Sequence, residues 1–135
     1  MDLDSEGQIP TQPTVEYIHT HKTGAMIRCS VLLGALAGGA EDGELRALRR
    51  YGEKLGLAFQ VVDDILDMTA TTEEMGKDQG SDKAKSKITY PAVFGLDESR
   101  VRARDLIEEA KDSLTPLDNP GHLLDIADFV LLRRL

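Results

Sequence analysis

Three aspartates lie in a stretch of sequence that is otherwise almost entirely apolar, and this combination constrains the fold more than any other feature. Between Gly56 and Met68 the polar side chains are those of Gln60, Asp63, Asp64 and Asp67. A helix that is apolar on nearly every side is normally buried in a protein core. Because moving a carboxylate charge out of water costs several kcal/mol even after relaxation, the aspartates need a positive partner.

The spacing of these residues indicates that most of them face the same way. Successive intervals of four, three and four residues separate Gly56, Gln60, Asp63 and Asp67. In a helix, this spacing places all four residues on one stripe of the surface. The only basic residue from 51 to 76 is Lys54. A divalent cation is therefore the predicted partner, and Mg²⁺ is favoured because it binds one or two carboxylates and completes its shell with water and phosphate. A solvated acidic face near a helix end is the open alternative.

Composition indicates an all-α protein with one core. The 135 residues suffice for one compact unit and not for two ordinary domains. Aromatic residues make up 4% and tryptophan is absent, whereas Leu, Ala, Glu, Asp, Lys and Arg dominate. This vocabulary favours helices over strands.

Charge and cysteine content exclude several classes of partner and compartment. The net charge of −8 would repel a phosphate backbone, so no nucleic acid partner is expected. The longest apolar candidate, residues 31–40, is too short for the roughly 20 residues of a membrane span. The N-terminus lacks the order of a secretory signal, and the single cysteine, Cys29, suits a reducing compartment, so we expect a cytoplasmic protein. The apolar neighbours of Cys29 predict that it is buried.

Helix start and stop signals divide the chain into segments. Pro13 favours a first helical turn, and the Gly38-Gly39 pair favours a stop. Residues 73–86 are polar and contain glycine, which predicts a solvated loop. After this loop, Thr89 or Asp97 is expected to cap further helix. The predicted helices run from Thr14 to Gly38, from Glu41 to about Thr69, from Ser99 to Leu114 and onward from Asn119-Pro120.

Lysines and a threonine outside the aspartate helix are candidates for anion binding. Lys22 falls on the apolar side of the first helix, where it needs an anionic partner or a route to water. Thr23 beside it can donate to a substrate or bond back to the preceding turn. The loop lysines are ordinarily solvated surface charges, and that interpretation is kept for Lys83 and Lys85.

Four stretches, in the same order, resemble the trans-isoprenyl diphosphate synthases, the group that includes farnesyl and geranylgeranyl diphosphate synthases. Residues 59–67 (FQVVDDILD) are similar to the second aspartate-rich motif of that family. The others are residues 16–25 (EYIHTHKTGA), residues 76–82 (GKDQGSD) and residues 87–91 (KITYP). The resemblance implies the C-terminal portion of the isoprenoid synthase helical bundle.

The resemblance also implies roles for the residues of the aspartate helix. Asp63, Asp64 and Asp67 would bind Mg²⁺, or Mn²⁺ in its place, and the ion would bridge to an allylic diphosphate. Thr23 and Gln60 would lie beside the allylic carbon, where their oxygen dipoles stabilise positive charge as the C–O bond breaks.

The same resemblance implies the substrates and the anion-binding lysines. Lys22, Lys77 and Lys87 would hold diphosphate oxygens, with Lys22 also acting at the reacting centre. The second substrate would be isopentenyl diphosphate, and farnesyl and geranylgeranyl products stay equally open. The family implies a homodimer for the full-length form.

The chain also departs from the family's pattern. The first aspartate-rich motif and the arginines near it have no counterpart, and Asp125 and Asp128 are expected to be surface or capping charges. The resemblance therefore implies a partial polyprenyl synthetase domain over residues 1–135, which alone should bind metal weakly and be inactive. Two alternatives remain: a noncatalytic subunit that pairs with an active synthase, and a degenerate remnant or unrelated bundle with a solvated acidic stripe.

Overall fold

The regular elements in the part of the chain that the structure describes are helical. The computed structural model describes residue 11, residues 20–74 and residues 88–133, with only the backbone of residues 20, 21 and 71–74. A π-helix, Thr20–Gly24, leads directly into the first α-helix. The α-helices are α1 (Ala25–Ala37), α2 (Asp42–Glu74), α3 (Tyr90–Phe94), α4 (Leu96–Ser113) and α5 (Gly121–Leu132). The predicted all-α class is confirmed.

The turn between α1 and α2 lies where glycine predicted it. Gly39 adopts a φ of 77°, in the left-handed region that glycine occupies without strain. The Gly38 N–H donates to the Gly34 carbonyl and the Ala40 N–H to the Ala35 carbonyl, each at 2.9 Å, which satisfies the last carbonyls of α1. The chain then reverses into α2.

Helix α2 begins as predicted and ends later. Asp42 and Glu44 occupy its first turn, where they complement the positive end of the helix dipole. The helix continues past the expected end near Thr69 to Glu74. No glycine or proline interrupts residues 70–74, so the change to polar sequence did not stop the helix. After the next segment, the Thr89 side chain accepts from the Ala92 N–H and caps α3, as expected.

Helix α2 is the central element and packs against every other helix that the structure describes. Its apolar side chains Val61, Val62 and Ile65 are fully buried, in agreement with the burial predicted for this stretch. The core also contains Tyr51, Leu55 and Ala58 of α2, Ala103, Leu106, Ile107 and Ala110 of α4, and Ala127 and Val130 of α5. The functional candidates of α2 therefore stand on a rigid, well-packed helix.

Two glycines let α1 and the π-helix lie close against α2. A Cβ atom at Gly56 would lie 2.5 Å from the Cα of Gly24, and one at Gly52 would lie 2.8 Å from the Cα of Arg28. Real Cβ atoms do not approach so closely, so any larger residue would force the backbones apart. This contact sets the depth at which the π-helix faces α2.

The prediction that Cys29 is buried is wrong. The cysteine is exposed, and α1 has no buried residue. The apolar side chains of Met26, Leu33 and Leu36 are 72%, 62% and 60% exposed. Helix α1 packs on α2 and the π-helix, and these apolar side chains on its outward face are left exposed. None of the described helices combines the length and apolar character that crossing a membrane requires.

Candidate active site

The π-helix places a threonine against the middle of α2. A π-helix is rare, usually spans a single turn, and occurs often at functional sites because its extra residue re-aims neighbouring side chains. Here it contains both Lys22 and Thr23. The Thr23 hydroxyl donates to Gln60 Oε1 at 2.8 Å, in a partly buried position. Two candidate residues that are 37 positions apart in the chain are thus in direct contact.

A second hydrogen-bonded pair continues this arrangement toward α3. Gln60 Nε2 donates to Asp64 Oδ1 at 3.1 Å, and the backbone N–H of Tyr90 donates to Asp64 Oδ2 at 3.0 Å. Asp64 is buried, with 6% of its surface exposed. Thr23, Gln60, Asp64 and the first residue of α3 therefore form one continuous hydrogen-bonded chain.

The other two aspartates remain accessible. Asp63 and Asp67 are one helical turn apart, so their side chains lie on the same side of α2. The Asp63 side chain is 41% exposed, and Asp67 is exposed. In the described part of the chain, no three histidine, cysteine, aspartate or glutamate side chains converge as a cation site. The three aspartates thus differ in surroundings, although sequence reasoning gave them one role.

Arg133, at the end of α5, is a member of the site that sequence reasoning did not identify. Its Nη2 lies 3.7 Å from Asp63 Oδ1, and its guanidinium carbon lies 4.7 Å from the centre of the Phe59 ring. The guanidinium therefore combines a charge contact with a cation–π contact. Arg133 is one of two consecutive arginines after an apolar run, and nothing in that pattern indicates a contact with a residue 70 positions earlier in the sequence.

Among the basic candidates, the structure describes Lys22. Lys22 is exposed, which agrees with the interpretation that it escapes to water. Lys77 and Lys87 lie outside the described residues, as do Lys83 and Lys85. Ile88 and Thr89, which directly follow Lys87, lead into α3 and so toward the backbone N–H that binds Asp64.

The side chains of Asp63 and Asp67 fit a hard divalent cation. Both are accessible carboxylates, and Mg²⁺ prefers oxygen ligands and commonly takes one or two carboxylates from the protein. Two carboxylates on one helix leave most coordination positions to water and to phosphate oxygens. The arrangement suits an ion shared with an anionic ligand.

Accessible carboxylates on the central helix α2, beside a hydrogen bond from Thr23 of the π-helix to Gln60 of α2, define a candidate ion-dependent active site. The family model for polyprenyl synthetase matches residues 1–117. The chain belongs to the polyprenyl synthetase family.

Similar proteins carry names consistent with this family. The chain is 46% identical to a dimethylallyltranstransferase of Fischerella ambigua over 98% of its own length and 39% of that protein. It is also 46% identical to farnesyl diphosphate synthase of Escherichia coli over 98% of its length and 46% of that protein. A geranyltransferase from Helicobacter pylori, solved with magnesium and isoprenyl diphosphate, superposes with a TM-score of 0.72 at 32% identity, covering 97% of this chain and 43% of that one. The chain thus spans less than half the length of these relatives.

Proposed function

We propose that this chain provides one half of the active site of a trans-prenyl diphosphate synthase. The observation that carries the proposal is the placement of accessible Asp63 and Asp67 on the same helix as Gln60, which accepts a hydrogen bond from Thr23 of the π-helix. A site of this kind can hold an ion–diphosphate group beside two oriented oxygens. The names of similar proteins, including the geranyltransferase solved with magnesium and isoprenyl diphosphate, support the same activity.

The proposed reaction joins an allylic diphosphate to isopentenyl diphosphate. The allylic C–O bond breaks and diphosphate leaves with the electron pair. The double bond of isopentenyl diphosphate then attacks the allylic carbon, and loss of a proton forms a new double bond. Product length, farnesyl or geranylgeranyl, stays open in this proposal.

The candidate residues other than Asp64 have the following roles in that proposal. Asp63 and Asp67 hold Mg²⁺, or Mn²⁺ in its place, which when bound neutralises charge on the leaving diphosphate. Thr23 and Gln60 present oxygen dipoles to the carbon at which positive charge develops, and they need no reorganisation because they are already hydrogen bonded. The proposed diphosphate ligands are Lys22, Lys77 and Lys87.

The half-site forms part of a larger proposed assembly. We propose that residues 1–135 form a partial domain and that this chain alone is inactive, because the family needs a second aspartate-rich helix facing α2. In the complete form we propose a cytoplasmic homodimer. A noncatalytic subunit is the alternative, although retention of a buried Asp64 beside Asp63 and Asp67 is not needed for a scaffold.

Prenyl transfer tests the proposal directly. Labelled isopentenyl diphosphate, an allylic co-substrate and Mg²⁺ are incubated with the 135-residue chain and with a form extended at its N-terminus to the length of its relatives. The expected result is activity in the extended form and loss of that activity in its Asp63→Asn variant. Activity in neither form would contradict the proposal and favour a noncatalytic subunit or a degenerate remnant.

A further inference from the structure

Asp64 differs from its two neighbouring aspartates in its surroundings. Only 6% of Asp64 is exposed, whereas 41% of the Asp63 side chain is exposed. Both Asp64 oxygens accept hydrogen bonds, one from Gln60 Nε2 and one from the Tyr90 N–H. A ligand of Mg²⁺ must let the ion approach to about 2.0–2.1 Å together with its waters. Asp64 offers little surface for such an approach.

The contacts of Asp64 decide which way the Gln60 amide points. An ionised carboxylate only accepts hydrogen bonds, so the end of Gln60 that faces it must be the NH₂ group. The carbonyl oxygen, Oε1, then points to Thr23, whose hydroxyl donates to it at 2.8 Å. A reversed amide would place a carbonyl oxygen against a carboxylate oxygen, so the hydrogen bond to Asp64 would be lost, and the Thr23 hydroxyl would then accept from the Gln60 NH₂ group.

We propose that Asp64 is a positioning residue for Gln60 and not a metal ligand. It holds Oε1 on the Thr23 side of the site, where the proposed reaction develops positive charge. Through the Tyr90 N–H it also ties this orientation to the start of α3, which follows Lys87 by three residues. The inference rests on the proposed function for its consequence in catalysis, but the orientation itself can be measured without any activity.

The first experiment measures the orientation in the protein without ligands. In ¹⁵N-labelled protein, as the 135-residue chain and as the N-terminally extended form, the Gln60 side-chain NH₂ should exchange slowly and show a nuclear Overhauser effect to the Tyr90 N–H. Asp64→Asn should shift both signals. One of the two polar atoms of an Asn amide is the nitrogen of an NH₂ group, which donates and cannot accept from either Gln60 or Tyr90. A freely exchanging Gln60 amide with no contact to Tyr90 in the wild type would overturn the inference, whether or not any variant folds.

The second experiment separates positioning from metal binding. In the extended form, Mg²⁺ with inorganic pyrophosphate should raise the melting temperature of the wild type and of Asp64→Asn by similar amounts, whereas Asp63→Asn should lose this shift. Loss of the shift in folded Asp64→Asn would make Asp64 a ligand and overturn the inference. Absence of the shift in the wild type would count against the proposed function, and the orientation measurement would still decide the role of Asp64.

The third experiment tests whether Asp64 acts through Gln60. In the extended form, Asp64→Asn should lower kcat about 10- to 100-fold, while the half-saturating Mg²⁺ concentration changes by less than about twofold. In the double variant, adding Asp64→Asn to Gln60→Ala should cause little further loss of kcat, because the Gln60 amide that Asp64 positions is already absent. Multiplicative losses in the double variant, or a large rise in the Mg²⁺ requirement, would overturn the inference.

Discussion

Gly56 of α2 lies so close to Gly24 of the π-helix that a Cβ atom at position 56 would fall 2.5 Å from the Gly24 Cα. Four residues further along α2, the Thr23 hydroxyl donates to Gln60. The close backbone contact and the hydrogen bond therefore both lie in the interface between α2 and the π-helix, one helical turn apart on α2. A side chain at position 56 would change both.

Gly56→Ala should destabilise the protein and separate Thr23 from Gln60. Overpacking a close contact costs about 1–3 kcal/mol, and the neighbour here is backbone, which cannot rotate away. Urea unfolding followed by circular dichroism measures the loss. The matched control is Gly34→Ala in α1, where nothing lies within 4 Å of the added Cβ. That variant should gain about 0.5–1 kcal/mol from the better helix propensity of alanine, and equal destabilisation of both variants would contradict the contact.

Tyr51 should make stability depend on alkaline pH. Its hydroxyl donates to the Leu123 carbonyl at 2.7 Å, and burial raises the pKa of Tyr51 to about 12 from its ordinary value of 10.0. The folded state therefore disfavours the phenolate. The stabilising contribution is complete below the unfolded pKa and is lost as pH rises from that value through the folded pKa, at a slope of about 1.4 kcal/mol per pH unit.

Tyr51→Phe tests this linkage. The variant should lose about 1 kcal/mol at neutral pH, because the Leu123 carbonyl loses its donor. The alkaline loss of stability between pH 10 and 12 should become shallower. The other two tyrosines, Tyr17 and Tyr90, are retained in both proteins, so the difference between them reports Tyr51 alone. If stability falls equally steeply with rising alkaline pH in both proteins, Tyr51 is not the cause of that fall.

Glu109 should make the stability of the fold depend on acidic pH. Lys54 of α2 lies 2.6 Å from Glu109 of α4, and this hydrogen bond, reinforced by the charges of Lys54, Arg102 and Arg50, lowers the pKa of Glu109. Its stabilisation is present above the unfolded pKa of 4.5 and is lost as pH falls through the lower folded value. Because both side chains are partly exposed, Glu109→Gln should cost less than about 1 kcal/mol at pH 7.

A pH series checks the Glu109 prediction. The stability difference between wild type and Glu109→Gln should shrink toward zero as pH falls below 4.5, and high salt should shrink it at neutral pH. Glu98→Gln is a suitable control, since Glu98 is exposed on the same helix. A difference that persists at low pH would indicate a packing effect in place of the ion pair.

Sequence reasoning located α2 and its polar candidates because local pattern carries that information. A run of apolar residues interrupted by Gln60 and three aspartates predicts burial without any partner, and Val61, Val62 and Ile65 are buried as expected. The Thr23–Gln60 contact was anticipated only through the family resemblance. Spacing within one helix does not say which residue of another helix it meets.

The contacts that sequence reasoning missed depend on distant or backbone groups. The Tyr90 N–H is a main-chain donor that every non-proline residue possesses, so nothing in the sequence indicated that it would bind Asp64. The expected burial of Cys29 failed for a related reason. Apolar neighbours predict burial only if another element covers them, and the outward face of α1 has no such cover among the described residues.

Arg133 should weaken the binding of free Mg²⁺ and favour the binding of Mg²⁺ with diphosphate. Its guanidinium lies 3.7 Å from Asp63, so its positive charge opposes a cation at that carboxylate but attracts an anion bound to the cation. Both side chains are partly exposed, 30% and 41%, which limits the effect to less than about fivefold in affinity.

Calorimetric titration of Arg133→Gln measures both effects. Mg²⁺ alone should bind more tightly than to the wild type, whereas Mg²⁺ with pyrophosphate should bind equally or more weakly, and added salt should reduce both differences. Arg104→Gln on α4 removes the same charge from an exposed position and is the control for net charge. If both variants behave alike, the proximity of Arg133 to Asp63 has no specific effect, because a general change in charge would then explain the result.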